Sequence, residues 1–337
     1  MNMSRNRLEK LLELVSKTRI LVFGDYFLDQ YWVTDPELEE VSLETRLPAN
    51  QVVKVRLSAG AAGTVANNLA ALGVKEVVAL GIIGDDGNGL ELIRSLQGAG
   101  VTTDQLILSP DRLTPTYTKP LFLQPDASQV EGQRIDIKNR TVTPWQLENE
   151  LVQRLRQSFL SLDGVIVLDQ AQEEDCGSVT TSLRQGLIEL GTDNPDQPCL
   201  ADSRTRIHKF RSVVVKVNEH EAARGWEGVQ ASFSEGCRAI HKRTNRPVVV
   251  TRGAKGVIGF DGQECRELSA IPSSGPLDIV GAGDSFSAGF LSALAATGDF
   301  WEALQLGILA AAVTVRKLGT TGTASPEEIL RVSAEIL

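Results

Sequence analysis

The chain has 337 residues, of which 42% are hydrophobic and 23% charged, a composition typical of a folded globular protein. Its 34 Lys and Arg residues against 43 Asp and Glu residues give a net charge of -9. This balance disfavours a nucleic-acid partner, because phosphate backbones are bound by clustered cations. No apolar run reaches the roughly 18 residues that cross a bilayer, so we expect no membrane partner. The cysteines lack C-x-x-C spacing, which predicts neither zinc nor a disulfide framework and favours a cytoplasmic location.

The N-terminal half alternates strand and helix patterns, with two departures. Charges mixed into a Leu and Val stripe predict an amphipathic helix within the first 20 residues. Apolar periodicity then predicts strands over 20–23 and 76–83 and helices over 65–72 and 90–96. The segments 31–57 and 114–136 alternate without a following helix. We predict that they form antiparallel strands of a small sheet that acts as a lid; decorated surface hairpins are the alternative.

The C-terminal half continues the alternation to the end of the chain. It predicts strands over 165–168, 213–217 and 248–251, and helices over 145–160, 179–190 and 285–296. Strands that alternate with helices imply right-handed crossovers and parallel pairing. We therefore predict an α/β fold, with a doubly wound, mostly parallel sheet and helices on both faces. We expect one domain over 1–337 into which the lid segments are inserted.

The turn before the last of these helices has the residues that phosphoryl transfer needs. Gly281 and Gly283 flank Ala282, and Asp284 follows. Backbone N–H groups at a helix start lack intrahelical partners and, with the helix dipole, attract an anion such as phosphate. Asp284 could take a proton from a hydroxyl while these amides hold the phosphoryl group. Taken alone, the same residues also suit a helix cap with closely packed glycines.

Five segments in the same order resemble the ribokinase-like, or PfkB, carbohydrate kinases. The matching motifs are Gly60-Ala-Ala-Gly-Thr64-Val-Ala-Asn-Asn68, Gly81-Ile-Ile-Gly84-Asp85-Asp86-x-x-Gly89, Asn218-Glu-His-Glu221, Val250-Thr251-Arg-Gly253-Ala-Lys-Gly256 and Asp278-Ile-Val-Gly-Ala-Gly-Asp284. They span about residues 20–326. The resemblance implies a ribokinase-like α/β fold with a β lid and an ATP-dependent kinase that phosphorylates a hydroxyl of a small sugar or sugar phosphate.

The resemblance also implies how ATP is held. Asp284 would be the general base, and the amides of Gly281, Ala282 and Gly283 would hold the phosphoryl group. Further residues would serve the nucleotide and its ions: Asn218 and Glu221 for Mg²⁺ through water, Thr251, Gly253 and Gly256 for the nucleotide, and Asp278, Val280 and Thr323 for a monovalent cation such as K⁺. From spacing alone, Asn218 and Glu221 also suit a helix cap and a solvated surface, and the last three suit an ordinary loop.

Details near the acceptor resemble the heptose-phosphate kinase branch of the family, as in Gly24-Asp25-x-x-x-Asp29-x-Tyr31-Trp32 and Arg134-Ile135-Asp136. The implied acceptor-binding residues are Asp29, Gly60, Ala61, Thr64, Lys119 and Arg134. Lys119 and Arg134 could hold a phosphate already on the substrate, or could simply be solvated. The chain departs from that branch where Thr64 replaces the usual Asn and Leu121 the usual Arg, and where Asp202-Ser-Arg204 replaces D-P-K.

The sequence therefore predicts an ATP- and Mg²⁺-dependent sugar kinase, with K⁺ left open as a further cofactor. A kinase of another sugar or a nucleoside, or a catalytically weak ligand-binding protein on the same fold, is the alternative. Because lid strands of this fold often pair between subunits, the resemblance also suggests a homodimer through the lid. We expect no fused nucleotidyltransferase within the 337 residues.

Overall fold

An eight-stranded sheet runs through the centre of the computed structural model, which describes residues 3–220, 233–273, 275–319 and 321–335. The strands in the described ranges are β1 Arg19–Gly24, β2 Tyr26–Val41, β3 Pro48–Ala61, β4 Glu76–Leu80, β5 Ile82–Gly84, β6 Ile107–Ser109, β7 Thr116–Leu123, β8 Gln129–Glu131, β9 Ile135–Ile137, β10 Gly164–Asp169, β11 Cys199–Ser203, β12 Val214–Asn218, β13 Val248–Thr251, β14 Val257–Phe260 and β15 Cys265–Leu268.

The helices described in the same ranges are α1 Arg5–Val15, α2 Ala62–Ala71, α3 Gly87–Gly98, α4 Trp145–Phe159, α5 Thr181–Asp193, α6 Phe233–Thr244, α7 Ala282–Thr297, α8 Phe300–Thr314 and α9 Pro326–Ala334. In the described part of the chain, no helix has both the length and the apolar character needed to span a bilayer. The helices expected from the periodicity are all present, and α1 confirms the amphipathic start.

The central sheet confirms the predicted doubly wound architecture. Its order is β15-β14-β13-β12-β11-β10-β1-β4; the six strands from β13 to β4 pair in parallel, and β14 and β15 add an antiparallel edge. Successive side chains of β1 point to opposite faces. Ile20 and Val22 pack with α1, α2, α7, α8 and α9, whereas Leu21 and Phe23 pack with α4, α5 and α6. Both faces are therefore covered by helices.

The two lid segments form a second sheet of order β3-β2-β7-β8, with β9 also paired to β7. Its strands begin earlier and end later than expected, at Tyr26 and Ala61. The prediction of a wholly antiparallel sheet was wrong for one pair, because β2 and β7 run parallel from Leu28 opposite Thr116. Parallel strands need a long crossover, and the chain from α2 to β6 supplies it.

The predicted strand over 76–83 is divided between two sheets. It breaks at Gly81, after which β5 pairs with β6. A Cβ on Gly81 would lie 2.9 Å from the ring of Tyr26, so the chain turns where only glycine leaves room for that ring. The prediction also missed β11, β14 and β15, and α7 begins three residues earlier than expected.

Candidate active site

The site lies where the parallel strands end and the lid sheet begins. The carboxyl ends of β10, β11, β12 and β13 meet at one edge of the central sheet, and β2 leaves the same edge immediately after β1. Ligands of doubly wound sheets bind outside these strand ends. The Asp25 carboxylate secures the floor of this region by accepting hydrogen bonds from the backbone N–H groups of Gln170, Ala171 and Ser178, at 2.8, 2.8 and 2.6 Å.

The Gly-Ala-Gly turn forms the start of α7 and is open to solvent. Gly281 takes the left-handed conformation, with φ 81°, as the N-cap. The Ala282 N–H donates to the Ile279 carbonyl at 3.2 Å, so this amide, predicted to hold phosphate, is already used inside the turn. Gly283 is exposed, and its amide and that of Asp284 lie in the first helical turn. These are the N–H groups that helical geometry leaves for an anion.

Asp284 lies in the first turn of α7, and its carboxyl is partly accessible to solvent. Burial raises its pKa to about 7, and the negative charge of Asp202 acts in the same direction. Lys216 and Arg204 lower that pKa, and Asp29 raises it slightly. A general base is most effective when its pKa lies near the working pH. Asp284 therefore has the proton affinity that an alcohol-deprotonating base requires.

Lys216 and Asp202 form a buried ion pair below this turn that the sequence reasoning missed. The Lys216 Nζ lies 2.7 Å from the Asp202 Oδ2, and the two side chains are 7% and 10% exposed. The available signal was a single Lys within the apolar run of β12. Charged side chains are seldom fully buried unless they are paired. A lysine in that position therefore indicates a partner on a neighbouring strand.

Asn218 stands at the carboxyl end of β12 and is exposed there, whereas Glu221 lies outside the described residues. No group of three or more His, Cys, Asp or Glu side chains suited to a metal is found in the described ranges. An amide oxygen at this edge fits a Mg²⁺ ion that keeps most of its water and is bound mainly by phosphates. The oxygen atom of Asn218 is thus the type of ligand that Mg²⁺ prefers, and the Mg²⁺ role of Asn218 and Glu221 stays a prediction.

The segment predicted to bind the nucleotide is a strand end followed by a tight turn. The Thr251 hydroxyl donates to the carbonyl of Val217 on the neighbouring strand at 3.3 Å. Gly253 and Gly256 both have positive φ, 55° and 98°. A Cβ on Gly256 would lie 2.6 Å from the backbone nitrogen of Ala270. The glycines therefore allow the close backbone turn, while the Thr251 hydroxyl has a structural partner.

Three predicted acceptor residues come together at the base of the lid. Asp29 is partly buried in β2, and a Cβ on Gly60 would lie 2.8 Å from its Oδ2. Ala61, at the N-cap of α2, has φ 52° and ψ -118°, a strained conformation of the kind often found at functional sites. Burial raises the pKa of Asp29, while Lys119 and Arg134 lower it. No group in the described ranges donates a hydrogen bond to the Asp29 carboxylate, which leaves both oxygens for a ligand.

Thr64, a further predicted acceptor residue, is already engaged within the protein. Thr64 is 4% exposed, and its hydroxyl donates to the Ala59 carbonyl at 3.3 Å. The side chain of Thr64 therefore faces the interior and not the cleft.

The two lid cations have different environments. Arg134 donates two hydrogen bonds to Asp136, at 2.6 and 2.9 Å, and lies 4.1 Å from the centre of the Tyr117 ring. The Lys119 ammonium lies 3.4 Å from the Tyr31 hydroxyl and 4.9 Å from the centre of its ring. Arg134 thus has a carboxylate partner, whereas no carboxylate in the described part of the chain lies at hydrogen-bond distance from Lys119.

In the two loops predicted to bind a monovalent cation, hydrogen bonds within the protein already use the expected ligand groups. The Asp278 carboxylate accepts from the backbone N–H groups of Val280 and Gly319, both at 3.0 Å. The carbonyl of Thr323 accepts a hydrogen bond from the Lys317 ammonium at 2.6 Å. A second cation at that carbonyl would be repelled by Lys317. Thr323 therefore does not fit as a K⁺ ligand through its carbonyl, while Asp278 and Val280 do link the loops beside the turn.

The family is decided by comparison with known proteins. The pfkB family carbohydrate kinase model matches residues 17–328, nearly the whole chain. The chain belongs to the pfkB family. By the description of the model, this is a family of carbohydrate kinases. This pfkB-family chain is 30% identical over 342 residues to the bifunctional protein HldE of Trichlorobacter lovleyi, and 30% identical over 323 residues to that of Coxiella burnetii.

These matches cover 99% and 94% of the pfkB-family chain but only 66% and 64% of the relatives. The chain thus spans slightly less than two thirds of their length. Among solved structures, Arabidopsis thaliana ribokinase complexed with ribose and ATP aligns with a TM-score of 0.67 at 21% identity, over 94% of this chain and 98% of the ribokinase. Phosphofructokinase-2 from Escherichia coli in complex with potassium aligns with a TM-score of 0.69 at 17% identity, over 95% and 99%. These alignments confirm the ribokinase-like fold.

Proposed function

We propose that this kinase transfers the γ-phosphoryl group of ATP to a hydroxyl of a small sugar or sugar phosphate, with Asp284 as the general base. The observation that carries the proposal is the position of Asp284. Its carboxyl has a pKa of about 7 and lies in an open helix start. Asp29, on the lid side, is close enough for its charge to affect that pKa. The proposed proton acceptor, the open helix start beside it and the proposed sugar-binding carboxylate are thus close enough to interact electrostatically.

The mechanism follows from these positions. Asp29 accepts hydrogen bonds from acceptor hydroxyls and so orients the sugar, with Gly60 and Ala61 forming the wall beside it. Asp284 takes the proton of the reacting hydroxyl while the oxygen of that hydroxyl bonds to the γ-phosphorus. The bond from that phosphorus to the bridging oxygen breaks, and ADP leaves with the electron pair. The Gly283 and Asp284 amides donate to the phosphoryl oxygens during the transfer.

The remaining predicted residues would bind the nucleotide and its ion. Thr251, Gly253 and Gly256 would support the nucleotide through the backbone of their turn. Mg²⁺ would supply positive charge to the phosphates, with Asn218 and, in the same motif, Glu221 orienting its water ligands. Their oxygen atoms are the type of ligand that Mg²⁺ prefers.

A heptose phosphate is the acceptor we propose first. The support is the set of acceptor motifs around Asp29 and Arg134, together with the 30% identity to proteins named HldE. Lys119 would then contact the phosphate already on the substrate. A sugar without a phosphate is the second candidate, and the bidentate pairing of Arg134 with Asp136 favours it, because that guanidinium is already neutralised.

The lid also supports the proposed homodimer. Strand β3 is an edge of the lid sheet, and it exposes apolar side chains: Val52, Val53, Val55 and Leu57 are 36–53% exposed. Unpaired edges and exposed apolar patches are common association sites.

The four cysteines are all free thiols. They support a cytoplasmic location, where thiols stay reduced.

One experiment tests the proposed function directly. The purified protein is given ATP, Mg²⁺ and a panel of free and phosphorylated sugars, including heptose phosphates, and ADP release is followed. We expect turnover above the sugar-free background with at least one acceptor. Absence of turnover across the panel, from protein that melts cooperatively, would contradict the proposal and favour a ligand-binding role.

A further inference from the structure

Lys216 is a lysine inside the central sheet. It lies in β12 among buried Val residues, and its side chain is 7% exposed. Its Cα is directly opposite that of Asp202 in the parallel register of β11 and β12, which brings the ammonium to 2.7 Å from the carboxylate. Neighbouring Val214 and Leu200 pack in the cluster that contains α7. Because side chains alternate along a strand, Lys216 and Asp202 point toward the same helix.

The ammonium lies directly beside the anion-binding turn. A Cβ built on Gly283 would be 3.5 Å from the Lys216 Nζ, and outside α7 itself no other atom of the described residues would lie within 4 Å of it. Gly283 is the exposed residue whose amide lies in the first turn of α7. A cation and free helical N–H groups therefore face the same small volume. Because residue 283 is glycine, no side chain fills that volume, which leaves room for an anion.

A purely structural pair is the alternative, and a second pair at this edge shows what that looks like. Arg206 is buried against Asp169 and also donates to the carbonyls of Ala171 and Gln172. Its guanidinium ties a loop to the sheet through these contacts. Buried ion pairs contribute little net stability, because desolvation offsets their attraction. A role in binding an anion at the open helix start therefore explains a buried lysine beside Gly283 better than stability alone does.

We propose that Lys216 is a catalytic residue whose ammonium donates a hydrogen bond to the transferred phosphoryl group, and that Asp202 is the positioning residue that holds it. This proposal rests on the proposed function. As the acceptor oxygen bonds to the γ-phosphorus and ADP departs, the hydroxyl proton goes to Asp284. Lys216 keeps its three protons throughout and stabilises the charge on the equatorial oxygens. No further co-reactant is required.

The experiment compares Lys216→Met, Lys216→Arg, Asp202→Asn and the double variant Lys216→Met/Asp202→Asn. Removing one preorganised donor should lower kcat by about 10²–10³-fold. The double variant removes both charges of this pair, so it should melt closer to the wild type than either single variant does. We expect it to stay as slow as Lys216→Met, with Lys216→Arg partly restored. As a control, Lys17→Met breaks the exposed pair with Glu13 and should leave kcat unchanged.

A binding measurement separates this proposal from the identity of the acceptor. MgADP is titrated into each variant with and without aluminium fluoride, which mimics the phosphoryl group in flight. We expect Lys216→Met to bind MgADP within about threefold of the wild type but to lose most of the tightening that the fluoride produces. If the double variant regains wild-type kcat, or if fluoride tightens binding equally in all variants, Lys216 only neutralises Asp202. A wild type that phosphorylates no sugar would refute the proposed function, while the fluoride titration would still decide the role of Lys216.

Discussion

The change Asp284→Asn should slow phosphoryl transfer and at the same time stabilise the fold. The Asn side chain keeps the shape of the carboxyl but cannot accept the hydroxyl proton, so we expect kcat to fall by about 10²–10⁴-fold, the usual contribution of a general base. The variant should be more stable because it removes a negative charge that the folded state disfavours. Asp284 holds a charge close to Asp202 in a site where burial raises its pKa to about 7.

The size of the stability gain follows from that pKa. The rise from 3.8 to about 7 corresponds to at most about 4 kcal/mol, at about 1.4 kcal/mol per pKa unit. Asp284 is only half-buried, so solvent screening reduces the gain to about 1–2 kcal/mol, or about 1–3 °C in melting temperature for a chain of this length. Because the pKa of Asp284 is higher in the folded state than in the unfolded state, the protonated carboxyl stabilises the fold. This stabilisation is fully present below pH 3.8 and is lost as the pH rises through 7. The advantage of the variant should therefore grow with pH over this range.

Two assays check this prediction. Coupled ADP release at a range of pH values should show wild-type kcat/KM rising about tenfold per pH unit below pH 7 and levelling above it. Thermal melts of Asp284→Asn should exceed those of the wild type most at alkaline pH. Asp196→Asn, an exposed aspartate in a loop, is the matched control and should change neither quantity. Full activity in Asp284→Asn, or a wild-type rate independent of pH below 7, would refute the reasoning.

Three further predictions concern the acceptor and the lid. Gly60→Ala should raise the KM for the sugar about tenfold or more, because the new Cβ would lie 2.8 Å from an Asp29 oxygen. The KM for ATP should not change. Gly186→Ala is the control in parallel kinetics, because its new Cβ would meet no atom of the described residues within 4 Å outside its own helix. Lys119→Ala should raise the KM for a phosphorylated sugar about tenfold more than that for the free sugar, and equal changes would remove Lys119 from phosphate binding. Val53→Asp on the exposed lid edge should convert a dimer to a monomer in light scattering, and an unchanged mass would place the interface elsewhere.

Local sequence patterns were sufficient for most of the fold. Apolar runs bounded by turn residues located β1, β10 and β13, because a strand buried on both faces must be apolar throughout. Strand β11 was missed because it follows a turn-rich loop and ends in the polar residues Asp202 and Ser203. The parallel pairing of β2 with β7 also could not be read locally, since it depends on how two distant segments leave the central sheet.

The sequence by itself determined the order of strands and helices, the glycine turn and the presence of Asp284 after it, because these depend on residues close together in the chain. Tertiary structure decided the chemistry of the site. The parallel register of β11 and β12 pairs Lys216 with Asp202, and packing at the strand ends gives Asp284 its pKa of about 7. Tertiary structure also directs the Thr64 hydroxyl to a backbone carbonyl in the interior. Charge, burial and distance between residues far apart in sequence are set only when the strands are assembled.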